Sequence, residues 1–112
     1  AMIRVFVQYG QDGLIGEFAV KGHAEFEEAG RDIVCAAVSA VTQTAVIGLT
    51  DVVGIRPETV QKDGLLHCIL PDKMSEKEQA MAGTVLRTML AGLKSIKSGY
   101  PDLLSIEERE VD

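Results

Sequence analysis

Basic residues are scarce in this chain: eleven Lys and Arg stand against seventeen Asp and Glu, a net charge of −6. A duplex nucleic acid or an anionic membrane would meet repulsion where binding needs a basic face, so neither is expected as a partner and a basic one is. An export signal is also missing. The opening "AMIRVFVQYG" has no basic head, apolar stretch or small-residue cleavage site, and Ala1 before Met2 reads as an expression remnant. The expected compartment is the cytoplasm. Only two cysteines are present, and the cytosol keeps thiols reduced, so no structural disulfide is expected and each thiol needs its own explanation. The longest apolar stretch, residues 33 to 49, is interrupted by Ser39, Thr42, Gln43 and Thr44 and falls short of a bilayer's thickness. It predicts a buried helix. Two histidines and two cysteines without close ligand spacing argue against a structural zinc site, and the glycines form no phosphate-binding pattern after a strand. No metal or cofactor is expected.

What is present suits one compact domain over residues 1 to 112, with 46% apolar residues. Ile3, Val5 and Val7 alternate with Arg4, Phe6 and Gln8, and a second alternating run over residues 14 to 21 follows the turn "GQDG", predicting a β-hairpin. Residues 32 to 53 predict the first helix, which Gly54 and then Pro57 stop. Val34, Val38, Val41, Ala45 and Leu49 line one side of it, and Ile33, Ala37, Ala40 and Ile47 another. Such a helix needs cover on more than one face, from the sheet and from either a second helix or a partner subunit. "ETVQK" and "LLHCIL" flank Asp63-Gly64, which favours the positive φ angles of a tight hairpin. Ser75 and Glu78 form a capping-box signature ahead of the second helix, where Met81, Val85, Met89, Leu93 and Ile96 trace a stripe that ends at Gly99. The last segment, "LLSIEEREV", predicts a polar, peripheral strand. The fold expected is a compact two-layer α/β sandwich of order ββαββαβ, with two long helices on a mixed or antiparallel sheet.

The chemistry concentrates in "GHAEFEEAGRDIVCAAVSA", residues 22 to 40. Asp32 is a preferred N-cap, and as the cap it makes Cys35 the third residue of the first turn, among unpaired backbone N–H groups. Their partial positive charge favours the thiolate, so a depressed pKa is expected for Cys35. His23, at the end of the second strand, is a candidate base or ion-pair partner for that sulfur. Two readings stay open on the residues alone. Cys35 is either an ordinary core cysteine beside an exposed histidine, with Asp32 only a cap, or half of a nucleophile and base pair. Ser39, one turn beyond Cys35, either supports the site or packs as a small residue. Cys68 shares a strand face with Leu66 and Leu70 and reads as core, with His67 on the opposite face.

"GH" at Gly22 and His23, followed by "GRDIVCAAVSA" from Gly30 to Ala40, resembles the ribosomal-processing cysteine proteases, the Prp family. The match is specific over residues 22 to 40, and elsewhere rests on length and order of elements. The resemblance implies that Cys35 is the nucleophile and His23 the general base, with Asp32 and Ser39 in support. It also implies a homodimer whose substrate is the precursor of large-subunit ribosomal protein twenty-seven, cut at a basic N-terminal extension with consecutive phenylalanines. The acidic balance suits such a basic substrate. Glu25, Glu27 and Glu28 either meet its lysines or form an ordinary solvated loop, and Gly22 and Gly30 are expected to let the loop between them close over the peptide. A non-catalytic ribosome-associated binding module is the alternative. A redox-responsive thiol protein is less favoured, because Cys68, the sole candidate resolving cysteine, sits on a core face.

Overall fold

The computed structural model describes residues 2 to 22 and 31 to 111. Five strands and two helices follow in the order β1 (Ile3–Tyr9), β2 (Ile15–Lys21), α1 (Arg31–Ile47), β3 (Glu58–Lys62), β4 (Leu65–Ile69), α2 (Glu76–Gly99) and β5 (Leu104–Glu110). The sheet order is β3-β4-β2-β1-β5. β5 runs parallel to β1, and the other pairings are antiparallel, so the expected sheet is mixed. Both helices lie on one face of this sheet, which completes the predicted two layers.

Alternation decides which side chains face the helices. Ile3, Val5 and Val7 of β1 are buried, as are Phe18 and Val20 of β2 and Leu66 and Cys68 of β4. In β2 the register slips opposite Gln8 and Tyr9, where Gln8 pairs with Glu17 and Tyr9 with Ile15. The extra residue, Gly16, lets Ile15 and Phe18 both point into the core although they are three apart. The open face of the sheet carries Phe6, with the Lys21 ammonium 5.3 Å and the Arg109 guanidinium 5.0 Å from its ring centre.

Several ends differ from the sequence expectation in informative ways. α1 does not run as one α-helix to residue 53: it widens into a π-helical turn over Gly48–Val53 before Gly54 caps it at φ 86° and ψ 20°. α2 stops at Gly99 as expected, but its cap is Tyr100 at φ −138°, because a residue before proline is pushed out of the helical region and Pro101 follows. In the β3–β4 hairpin the positive φ falls on Gly64 alone, at 74°. The capping box forms in full: the Glu78 N–H donates to the Ser75 hydroxyl at 3.1 Å and the Ser75 N–H to the Glu78 carboxylate at 2.9 Å. The core stripe of α2 is also rotated from the predicted one. Ala82, Leu86, Met89, Leu90 and Leu93 are buried, whereas Met81, Val85 and Ile96 are only half-buried toward α1 and the layer edge.

Candidate functional site

The site begins where β2 ends. Gly22 follows Lys21 with φ 83°, and its N–H donates to the Gly64 carbonyl at 2.9 Å. A Cβ there would sit 3.2 Å from the Met2 carbonyl oxygen, so both the backbone angle and the crowding call for glycine. The chain thus leaves the sheet between β1 and β4 and returns as α1. His23, Glu25, Glu27, Glu28 and Gly30, all singled out from the sequence, lie outside the described residues.

α1 includes Arg31, and Asp32 is exposed within its first turn instead of capping it. This corrects the expected register: Arg31 is already helical, so the Cys35 amide falls in the i→i−4 ladder and is not among the unpaired N–H groups of a helix start. The Asp32 carboxylate still complements the positive end of the helix from inside the first turn. Cys35 is buried, only 5% exposed, between Val34 and Val38 on the side that faces the sheet. Ser39, half-buried, follows one turn later on the same flank. Two turns beyond Cys35 the Thr42 side chain is fully buried, and its hydroxyl donates to the Val38 carbonyl at 2.8 Å. That hydroxyl needs no partner outside its helix, so Thr42 reads as packing.

The second thiol is a contrast. Cys68 is completely buried in β4, and burial pushes its pKa up to about 11, so it stays a thiol at neutral pH. Its neighbour on the opposite face, His67, lies with Nε2 2.6 Å from Glu17 Oε2, a pairing set by β2–β4 register that the sequence alone did not signal.

A cysteine near the start of a helix on a two-layer α/β fold is a setting that can serve a thiol hydrolase. Comparison with known proteins places it more closely. The family model described as "Cysteine protease Prp" matches residues 2–105. The chain is 29% identical over 107 residues to the ribosomal processing cysteine protease Prp of Bacillus subtilis, covering 94% of this chain and 96% of that protein. Among solved structures it is similar to the essential ribosomal processing protease Prp of S. aureus in complex with a substrate peptide. There the TM-score is 0.86 and the identity 28%, over 96% of this chain and 99% of the other. A second structure of that S. aureus protease, with a covalently linked product peptide, gives a TM-score of 0.81 and 29% identity over the same shares. The chain belongs to the Prp family of cysteine proteases.

Proposed function

We propose that this protease removes the N-terminal extension from the precursor of large-subunit ribosomal protein twenty-seven, in the cytoplasm, through a Cys35–His23 dyad. The observation that carries the reading is the place of Cys35 near the start of α1, the helix that follows β2 and Gly22 along the chain. The field of the helix start favours the thiolate. His23 prepares that thiolate, which attacks the scissile carbonyl, and N–H groups of the first turn of α1 stabilise the oxyanion. The protonated imidazole then gives its proton to the leaving amine, and water hydrolyses the thioester. Asp32 and Ser39 support the site from one turn on either side of Cys35. Glu25, Glu27 and Glu28, between Gly22 and Gly30, meet the lysines of the basic, phenylalanine-bearing extension. The net charge of −6 supports a basic substrate. The S. aureus relative with a covalently linked product peptide supports attack by a protein nucleophile. The active form is a homodimer.

Intact mass of the precursor after incubation with this protein, and with its Cys35→Ala and His23→Ala variants, tests the reading. Loss of one defined N-terminal fragment with the parent and with neither variant is the expected result. An unchanged precursor in all three reactions, with every protein folded and the precursor drawn from the same organism, would sink it and leave the binding module ahead.

A further inference from the structure

Among the described residues no element covers the sheet face turned away from the helices, and strand register sets its side chains in rows. Lys62 of β3, Leu65 of β4, Lys21 of β2 and Arg4 of β1 are successive cross-strand partners and form one row. It runs about 14 Å over three strand spacings, at the end of the sheet where β2 gives way to Gly22. Val60, His67, Ala19 and Phe6 form the next row.

The charge of this face departs from that of the molecule. Its cations are Arg4, Lys21, Lys62 and Arg109, against the carboxylates Glu17, Glu58 and Glu107, which leaves seven basic and fourteen acidic residues for the rest of the chain. Two of the three carboxylates are already engaged: Glu17 Oε2 lies 2.6 Å from His67 Nε2, and Glu107 pairs with Arg109. Arg4, Lys21 and Lys62 are exposed and form no ion pair among the described residues, although Asp63 follows Lys62 in the β3–β4 turn.

Behind the basic row the surface is shaped for a flat group. Ala19 stands in register between Phe6 and His67, and its small side chain forms the floor of a cavity of about 390 Å³ that these two, Leu65 and Lys21 border. That volume is within the range of small-ligand sites. Glu17 fixes the His67 ring, while the Lys21 ammonium and the Arg109 guanidinium are drawn up to 5.3 and 5.0 Å from the centre of the Phe6 ring. Both cations are thus held in place before any ligand arrives, which lowers the cost of ordering them.

Cations in a row beside flat side chains suit single-stranded nucleic acid, whose phosphates follow the charges and whose bases stack on the rings. An acidic peptide would use the charges but brings no planar base to the cavity. A duplex keeps its bases stacked inside and spreads phosphate over a wider face, so the repulsion expected from the net charge of −6 still applies to it. We propose that the open sheet face binds a single-stranded stretch of nucleic acid, with phosphates along Lys62, Lys21 and Arg4 and one base over Ala19 between Phe6 and His67. Cys35 lies in the helix layer on the other side of the sheet, so the proposal is independent of the protease reading.

Fluorescence anisotropy of a labelled oligouridylate of about ten nucleotides, titrated with the full chain over a range of salt, tests the site. Three phosphate contacts should give a slope of log K against log salt of about −2, and Lys21→Gln or Arg4→Gln should each flatten it by about 0.7. Phe6→Leu should weaken binding about tenfold and leave the slope unchanged, because it removes stacking and no charge. Thermal melts verify folding, and the exposed Lys21 and Arg4 positions test the row even where Phe6→Leu proves unstable. A duplex of the same length and an oligoglutamate should bind much more weakly. Oligoglutamate bound as tightly as oligouridylate would give the row to an acidic protein segment and overturn the proposal. No rise in anisotropy at low salt with about 0.1 mM protein, or binding that the Lys21 and Arg4 variants leave untouched, would overturn it as well. Cleavage of the ribosomal protein precursor is read separately, and none of these outcomes changes it.

Discussion

Cys35 and Cys68 are both buried, yet their backbone settings differ. Burial in the middle of β4 pushes the Cys68 thiol up to about 11, so it should resist alkylation at pH 8 while the protein is folded. Peptide mapping after native iodoacetamide treatment should find Cys68 unmodified, and should find it labelled only after unfolding. Extensive labelling of Cys68 in folded protein would mean that β4 opens far more readily than its burial implies. Gly22 bears a different kind of demand. An alanine there must hold φ near +83° and press on the Met2 carbonyl, so Gly22→Ala should cost about 1–2 kcal/mol. Thermal unfolding reads that loss directly, and a melting point equal to the parent's would show that the exit of β2 relaxes at no cost.

Helix termini illustrate how local chemistry and tertiary context divide the work within an element. The reciprocal Ser75–Glu78 box starts α2 with two satisfied donors, so Ser75→Ala should lower stability by about 1 kcal/mol, or about 4 °C in melting temperature for a chain of this size. An unchanged melting point would assign the start of α2 to packing alone. Gly54 closes the first helical segment in the left-handed region, as a glycine cap does, and its N–H returns to the Leu49 carbonyl at 3.0 Å. Asp32 is the instructive failure. A good capping residue near an apolar run reads as the cap, but Arg31 is already helical, so Asp32 sits inside α1 and Cys35 lies deeper in the helix than capping chemistry implied.

Across the whole molecule, β1, β5 and α2 are tied together by one small polar network. The Tyr9 hydroxyl donates to Glu108 at 2.6 Å, and Lys94 Nζ lies 3.1 Å from the same carboxylate. The Tyr9 hydrogen bond first, and Lys94 second, hold Glu108 below the usual carboxylate range. The hydrogen bond from Tyr9, reinforced by burial and the Glu108 charge, pushes the phenol up to about 12. A depressed carboxylate stabilises the fold above its unfolded pKa, about 4.3, and that contribution is lost as pH falls through the lowered native value. For the raised phenol the sign reverses: its contribution is present below 10.0 and lost as pH rises toward 12. Glu108→Gln should therefore lower the urea midpoint at pH 7 and flatten its decline on both flanks. Because Glu108 is near the surface, the loss should be small, within the range of exposed pairs. Superimposable midpoint curves for variant and parent would remove this network from the stability of the β5 edge.

The strands, both long helices, the capping box and the glycine stop at Gly54 were legible in the sequence because each is fixed by period or by chemistry within a few residues. The same holds for the core placement of Cys68, which alternation with Leu66 and Leu70 determines. The motif from Gly22 to Ser39 pointed to the family without any coordinates, since residue types at fixed spacing survive in one dimension. Other features needed three dimensions. The position of β5 beside β1 and its parallel sense depend on how α2 crosses the sheet, and the Glu17–His67 and Tyr9–Glu108–Lys94 contacts exist only because that strand order places distant residues together. The bare outer side of α1 is of the same kind. The sequence established that the helix is apolar nearly all round, but how much of it one chain could cover was settled by where the sheet and α2 came to rest, since burial is a property of packed surfaces and not of local pattern.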